Sequence, residues 1–312
     1  MERMRRRTDN ATLSFSVVAV LLLFLFSMQT LLHADSMRNV VIITSSNSNY
    51  QLQTAAGIRE ELEQQDVRTL IISSDDFATS SQNEKTLYVA IGENAFKGLY
   101  EYDRDAFVLR ITSRQDPDSK YTSAQSDLIT AQPECRHIQL IKSLNPYWNT
   151  VGVLSSIGSS DIAAALTRCA IEYNLNLQVY AITDNSDLLV TLEAAIEDNR
   201  VLLAITDPLI YNSHSVKNIL LTAYRHRKPV IGYSDSFVQA GAVAAIYTSP
   251  QTVSDKAVSI ITDFFDNNWQ FDRNIYNTND FSISVNRQVA TSLEISLPGT
   301  KTIRKNIERM SK

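Results

Sequence analysis

The chain has 312 residues, of which 44% are hydrophobic and 20% charged, proportions typical of a folded globular protein rather than a disordered one. The formal net charge of −5 argues against a nucleic-acid-binding surface, and two cysteines are too few for a disulfide scaffold or a four-cysteine zinc site. At about 150 residues per domain, the length indicates two domains.

The first 34 residues combine a basic start with an apolar stretch. Four arginines lie between residues 3 and 7, ten apolar residues follow at 17–26, and the small residue Ala34 precedes Asp35. This order is typical of a secretory signal peptide cleaved after Ala34. An uncleaved anchor is the alternative if the apolar stretch is counted loosely over 11–32. In both cases the arginines stay cytoplasmic and the remaining chain is exported.

From residue 39 onward, apolar runs of strand length alternate with segments of helical periodicity. In the first part of the chain, strands are predicted at 40–43, 67–72, 87–91 and 106–111, with helices at 50–65 and 94–100. Continuous apolar strands separated by helices indicate a parallel sheet with helical crossovers. These residues therefore predict one α/β lobe.

A second series of strands and helices begins with a predicted helix at 133–144. It continues with strands at 150–154, 175–182, 201–205 and 229–232, and with helices at 161–173, 186–198 and 213–227. After residue 233 the sequence predicts strands at 243–247 and 281–285 and a helix at 252–267, too few for a third domain. We expect an α/β protein of two doubly wound parallel-sheet lobes, with a hinge and an interlobe cleft.

The expected boundaries follow from this order of elements. Residues 39–132 with 233–298 should form lobe 1, residues 133–232 should form lobe 2, and residues 299–312 should be a C-terminal tail. The chain would then cross between the lobes more than once.

Polar residues follow the predicted strands, at the ends where open parallel sheets bind ligands. Hydroxyls and backbone amides at helix starts suit a carboxylate, and an aspartate in a dry cleft suits an ammonium group, so a zwitterionic amino acid would fit. Ordinary helix capping is the alternative for each residue. The candidates are Ser45, Ser46, Asn47, Gly92, Ser113 and Asp116 in lobe 1, Ser155, Ser156 and Asp207 in lobe 2, and Ser234 and Asp235 at the crossing back. We expect Asp207 or Asp235 to hold an ammonium group.

No motif in the chain indicates catalysis. A nucleophile elbow, a zinc-protease motif, a dinucleotide fingerprint and a phosphate loop are all missing from the sequence. His137, His214 and His226 fall on predicted helices, and we interpret them as surface or helix-face residues. Tyr50 and Tyr211 begin helices at cleft-side strand ends, where core packing competes with stacking on a ligand. The sequence predicts neither an enzyme nor a bound cofactor or metal.

Cys135 and Cys169 fall on predicted helices of the same lobe. Export permits a disulfide between them, and two buried free thiols are the alternative.

The order of motifs between about residues 39 and 298 resembles the ABC-transporter substrate-binding proteins of the type I periplasmic-binding fold, in the group associated with aromatic or branched amino acids. The matching segments are Ala56–Leu62, Val89–Ala95, Asp116-Pro117, Leu140–Pro146, Val151–Leu154, Asp207, Lys228–Val230, Gly241-Ala242 and Ser284–Pro298. The chain departs from the family at 119–124, where it lacks the usual glycines. The resemblance implies a periplasmic protein with a membrane permease as its partner.

The leading hypothesis is an exported solute-binding protein that closes on a small polar ligand, such as an amino acid, for uptake. In a second hypothesis the closed form signals to a membrane sensor or an outer-membrane receptor, and a retained anchor would favour it. The third is an exported enzyme on a similar two-lobe frame, which would need a nucleophile–base pair that the sequence does not show.

Overall fold

The computed structural model describes residues 38–46, 48–77, 85–115 and 122–311. The predicted signal peptide or anchor lies outside these described residues, as do Asn47 and Asp116 of the predicted site. No helix within the described ranges is both long enough and apolar enough to cross a membrane.

The described residues form twelve strands and ten α-helices. The strands are β1 (Asn39–Thr44), β2 (Arg68–Ser73), β3 (Thr86–Ile91), β4 (Phe107–Thr112), β5 (Gln125–Ile129), β6 (Thr150–Ser155), β7 (Asn176–Ala181), β8 (Val201–Leu203), β9 (Val230–Gly232), β10 (Ala244–Tyr247), β11 (Ile275–Asn277) and β12 (Ser282–Val285). The helices are α1 (Asn49–Glu63), α2 (Glu93–Tyr102), α3 (Glu134–Leu144), α4 (Ser160–Glu172), α5 (Leu188–Asp198), α6 (Val216–Arg225), α7 (Asp235–Ala240), α8 (Pro250–Asp266), α9 (Arg287–Ser292) and α10 (Thr300–Met310).

The strands form two sheets of six. The first has the order β11-β5-β4-β3-β1-β2 and is parallel throughout. The second has the order β12-β10-β9-β8-β6-β7 and is parallel except for β12, which runs antiparallel to β10. The predicted fold class, two mostly parallel α/β lobes, is confirmed.

Each sheet is buried between helices, which explains the continuous apolar runs in the central strands. All six residues of β1 are buried, and so are all six of β3. On one face of the first sheet, α1 and α8 pack together through Ile58, Leu62 and Phe264. On the other face, α2 contributes Ala95 and Leu99. The second sheet has its own continuous core.

The lobe boundaries differ from the expected ones. Strands β10 and β12 pair in the second sheet, so only α8 and β11 of the segment 233–298 complete the first lobe. The expected C-terminal tail contains α10, which packs against α3 of the second lobe. Pairing partners are set by tertiary contacts that strand periodicity does not encode, so the assignment of these two strands was wrong. Below, lobe 1 means residues 38–129 and 249–277, and lobe 2 means 131–247 and 281–311.

The chain crosses between the lobes three times, and Thr248 joins the crossings. Its Oγ1 donates a hydrogen bond to the carbonyl of Thr130 at 2.7 Å and accepts one from Gln132 Nε2 at 2.6 Å. The same oxygen lies 3.1 Å from Thr278 Oγ1, and Gln132 Nε2 also donates to the carbonyl of Asp280 at 3.0 Å. These hydrogen bonds connect the three segments side by side, and below, the hinge means these segments, residues 130, 248 and 278–280.

A disulfide joins Cys135 on α3 to Cys169 on α4, with the two Cα atoms 5.1 Å apart. Of the two alternatives for these cysteines, the structure contains the disulfide. The bond connects neighbouring helices of lobe 2.

Candidate ligand-binding cleft

The carboxyl ends of both sheets line a common cleft that contains two cavities. The outer chamber, of about 600 Å³, is lined by residues of both lobes: Gly92, Glu93, Phe96, Lys97, Arg110, Thr112, Ser113, Arg114, Gln115, Asp127, Ser156, Gly158, Thr206, Asp207, Pro208 and Leu209. The inner chamber, of about 190 Å³, lies beside the hinge and is lined by Tyr50, Ser113, Thr130, Ala131, Gln132, His137, Thr206, Tyr233, Ser234, Ile246, Tyr247 and Thr248. Ser113 and Thr206 line both chambers, so the two cavities are adjacent.

The start of α2 lies at the outer chamber, which Gly92 and Glu93 line. Gly92 precedes the helix with φ of 91°, a left-handed conformation that favours glycine. Ser45 Oγ accepts a 2.8 Å hydrogen bond from the N–H of Ala95. The first-turn amides of Glu93 and Asn94 have no acceptor among the described residues. This helix end, with its positive dipole, suits an anionic group of a ligand.

Four charged side chains of lobe 1 in the outer chamber are paired with one another. Arg110 and Asp127, on adjacent strands, form a buried ion pair, and the Arg110 guanidinium lies 4.4 Å from the centroid of the Phe96 ring. Lys97 Nζ lies 2.7 Å from Glu93 Oε1, and this hydrogen bond raises the pKa of the Lys97 ammonium above its ordinary value. The chamber therefore combines charges of both signs within a small space.

Arg114 connects the two lobes across the outer chamber. Its Nη1 donates a 3.1 Å hydrogen bond to the carbonyl of Gly158, and its Nη2 forms an ion pair with Asp161. Arg114 follows β4 of lobe 1, whereas the other two residues belong to the turn before α4 and to its first helical turn in lobe 2.

Asp207 is held by its own lobe. One carboxylate oxygen accepts hydrogen bonds from the N–H of Ser156 at 2.8 Å and from Ser159 Oγ at 2.6 Å. The other accepts from the amides of Leu209 at 3.1 Å and Ile210 at 3.4 Å. Burial raises the pKa of this carboxyl, but the hydrogen bonds from the two serines outweigh it and hold the pKa below its usual range. This geometry favours the capping interpretation of Asp207 over direct contact with an ammonium group.

The inner chamber has an uncharged, aromatic lining. The phenol of Tyr50 donates a 3.2 Å hydrogen bond to the carbonyl of Thr248, and burial raises the pKa of both Tyr50 and Tyr233 to about 12. The imidazole Nδ1 of His137 is buried without a hydrogen-bond partner, and desolvation lowers the His137 pKa to about 4. These side chains are neutral at physiological pH, so this chamber offers hydroxyls, aromatic rings and a neutral imidazole.

The structure shows the positions of His137, Tyr50 and Tyr211, three of the histidines and tyrosines that the sequence analysis interpreted. His137 lines the inner chamber instead of lying on the protein surface. Tyr50 also lines that chamber, whereas Tyr211 packs in the core of lobe 2 against Phe237, at 5.8 Å between ring centroids.

The cleft brings together five of the predicted site residues. Gly92, Ser113, Ser156 and Asp207 line the outer chamber, and Ser113 and Ser234 line the inner one.

Four other predicted site residues make local contacts beside the chambers. Ser45 caps α2, as described above, and the N–H of Ser46 donates to Gln51 Oε1 at 3.0 Å. Ser155 Oγ is buried 2.9 Å from Ser159 Oγ. Asp235 accepts a 2.6 Å hydrogen bond from Gln239 Nε2 within α7.

Sequence reasoning found Asp207 but missed the other charged residues of the cleft. Arg110 interrupts the otherwise apolar β4, and a charged residue inside a buried strand was the signal that could have identified it. Its partner Asp127 lies in β5, a strand that the apolar pattern did not reveal. Arg114 follows Ser113 directly, one residue beyond the predicted set. Among the described residues, no group of three His, Cys, Asp or Glu is arranged to hold a metal ion.

A family model described as ABC transporter substrate binding protein matches residues 111–304. The chain belongs to this family. Its members are substrate-binding transport proteins rather than enzymes, and membership implies an exported protein with a small-molecule ligand and a membrane permease as partner. No curated protein sequence matches this substrate-binding protein.

Three solved structures show the same fold. An ABC domain in complex with L-Trp from Streptococcus pneumoniae is 16% identical, with a TM-score of 0.64 over 87% of this chain and 98% of that one. A ligand-free, open substrate-binding protein with adhesive properties from Clostridium difficile is 17% identical, with a TM-score of 0.70 over 85% and 97%. A periplasmic ribose ABC transporter protein from Conexibacter woesei is 9% identical, with a TM-score of 0.56 over 84% and 96%. At these low sequence identities, the similarity shows a shared fold and nothing more.

Proposed function

We propose that this substrate-binding protein binds an amino acid in its cleft, closes its two lobes over the ligand and presents the closed form to a permease. The observation that carries the proposal is the outer chamber, where strand ends of both lobes surround one cavity of about 600 Å³. A ligand in that cavity touches both lobes at once and therefore binds the closed arrangement more tightly than the open one.

The chemistry of the two chambers supports a zwitterionic ligand. The first-turn amides of α2 offer an anion site for the ligand carboxylate, next to the cation of Lys97. Hydroxyls at Ser113 and Ser156 supply further polar contacts. The ligand ammonium would face the acids of the outer chamber, and the neutral inner chamber would take the side chain.

Gly92, Ser113 and Ser156 are the predicted site residues with the best position for direct contact. Ser234 would contact the ligand side chain in the inner chamber. Asp207 would act by fixing the lobe 2 wall, and Asp235 stays a predicted ammonium partner. Asp116 stays a predicted ligand-binding residue.

The proposal is tested by screening the purified protein against the twenty L-amino acids, with ribose and glucose as control ligands. We expect at least one amino acid to raise the melting temperature, because a ligand at 100 times its Kd stabilises the folded state by about 2.7 kcal/mol. Isothermal titration calorimetry then gives the affinity, and small-angle X-ray scattering reports closure as a smaller radius of gyration. Stabilisation by the sugars alone would contradict the zwitterion assignment.

We propose further that residues 1–34 act as a cleaved signal peptide. The support is the basic start, the apolar residues 17–26 and Ala34 before Asp35. Intact mass of the exported protein should correspond to a chain that begins near Asp35. A mass that includes the apolar segment would support the anchored alternative instead.

A further inference from the structure

Outside the hinge, Arg114 makes the only direct hydrogen bonds between the lobes within the part of the chain that the structure describes. Its guanidinium donates to the Gly158 carbonyl at 3.1 Å and pairs with Asp161. Because one partner lies in each lobe, these contacts exist only while the lobes are close together. A rotation about the hinge that separated the groups by several ångströms would break both contacts.

Both sides of this contact are held in place by their own lobe. On the lobe 1 side, Thr112 Oγ1 donates to the carbonyl of Arg114 at 3.1 Å, which fixes the backbone just after β4. On the lobe 2 side, Ser156 Oγ accepts from the N–H of Gly158 at 3.2 Å. Asp161 lies in the first turn of α4, where the helix dipole favours a negative charge. Little backbone ordering is therefore needed when the contact forms.

We propose that Arg114, Gly158 and Asp161 form an interlobe clasp that favours the closed arrangement even without a ligand. The clasp sets the ratio of closed to open molecules before a ligand arrives. It thereby determines which fraction of the molecules is already closed and which fraction the ligand still has to close.

The contribution of the clasp is modest, because its side chains are partly exposed. The Arg114 and Asp161 side chains retain 38% and 65% of their accessible surface. Exposed ion pairs change an equilibrium by about 1.5- to 5-fold, and the hydrogen bond to Gly158 adds to this. We expect the closed-to-open ratio to fall by about 2- to 10-fold when the clasp is removed, and the effect to weaken as salt screens the pair.

The cleft offers a matched control. Lys97 and Glu93 form another exposed ion pair that lines the outer chamber, but both residues belong to α2 of lobe 1. Removing the Lys97 charge changes the electrostatics of the same cavity without touching an interlobe contact. An effect on closure that is specific to the clasp should therefore be absent from Lys97→Met.

The experiment measures the distance between a spin label on α1 of lobe 1 and one on α4 of lobe 2, in the ligand-free protein at 20 and 500 mM NaCl. We expect the parent to have a larger closed population at low salt than at high salt. Arg114→Met and Asp161→Asn should be more open at low salt and insensitive to salt. Lys97→Met should behave as the parent does.

The charge-swapped double variant Arg114→Asp/Asp161→Arg separates the ion pair from a general disturbance of the fold. We expect it to recover at least half of the closed population that each single variant loses. The clasp is refuted if Arg114→Met and Asp161→Asn give the parent distance distribution at low salt, or if Lys97→Met opens the lobes equally. Since no ligand is added, these outcomes do not depend on the identity of the bound solute.

Discussion

The carboxylate of Asp207 accepts a 2.8 Å hydrogen bond from the backbone N–H of Ser156 and so connects the loops that follow β8 and β6. These strands are neighbours in the second sheet. The hydrogen bond from Ser159 to the same oxygen extends the connection to the turn that carries Gly158. One buried side chain thus fixes the lobe 2 wall of the outer chamber.

We predict that Asp207→Asn lowers stability more than ligand affinity. An amide cannot accept all four hydrogen bonds that the carboxylate receives, and an unsatisfied buried partner costs about 1–3 kcal/mol. Thermal melting should show the loss, while calorimetric titration should show affinity within about threefold of the parent. Asp235→Asn, which affects contacts with Gln239 and Tyr247 rather than a carboxylate that accepts four hydrogen bonds, is the control for stability. An unchanged melting point with a 30-fold weaker affinity would instead identify Asp207 as the ammonium partner.

We predict that Gly92→Ala disrupts the start of α2. The φ of 91° is unfavourable for alanine, and an added Cβ would lie 2.7 Å from Ser45 Oγ and 2.8 Å from Gln51 Nε2. The strain should lower the free energy of unfolding by about 1–3 kcal/mol and weaken ligand binding. Gly98→Ala in the same helix is the matched control, because nothing lies within 4 Å of its added Cβ. That control should be stabilised by about 0.5–1 kcal/mol. Equal effects of the two substitutions would be inconsistent with the described geometry.

We predict that the double substitution Cys135→Ser/Cys169→Ser destabilises the protein by about 2–4 kcal/mol. The disulfide links positions 34 residues apart and restricts the unfolded chain over that length. Dithiothreitol should lower the melting temperature of the parent towards that of the variant and leave the variant unchanged. Detection of two free thiols in the oxidised, exported protein would contradict the bond.

We predict that His137 makes the protein sensitive to mild acid. Its pKa is about 4 in the folded state, below the ordinary 6.5, because burial disfavours the charged imidazole. The unfolded chain therefore binds the proton more readily below pH 6.5. The stability that neutral His137 contributes is fully present above about pH 6.5 and is lost as the pH falls towards 4.

His137→Gln removes this titration, so its melting temperature should fall less than that of the parent between pH 7 and pH 5. The exposed His226, substituted in the same way, is the control for the loss of a histidine side chain. A parent-like acid sensitivity in His137→Gln would show that other groups cause it.

The sequence predicted most of the strands because central strands of a parallel sheet are apolar along their whole length. β1 and β3 are buried at every position, and each appears in the sequence as an uninterrupted apolar run. β5 was missed because it carries Gln125, Ser126 and Asp127 into the buried sheet. Asp127 is tolerated there by its ion pair with Arg110, a tertiary contact that the local pattern cannot show.

The candidate site was predicted in outline because the carboxyl ends of parallel strands meet at one edge of each sheet. Of the residues that this rule selects, Gly92, Ser113 and Ser156 line the outer chamber. It could not separate residues that face the cavity from residues that cap a neighbouring helix, as Ser45 does. Nor could it find Arg114, whose role depends on the distance between two lobes.

The three hinge crossings also constrain how the protein reaches its folded state after synthesis. Lobe 1 lacks α8 and β11 until residue 277 has emerged, and lobe 2 lacks β12 and α10 until residue 310 has emerged. Neither lobe therefore has all of its elements until these late segments have been made, and we expect the partly made lobes to stay incompletely folded. Export threads extended polypeptide through a translocation channel, so the interleaved topology favours passage of the chain before either lobe is complete.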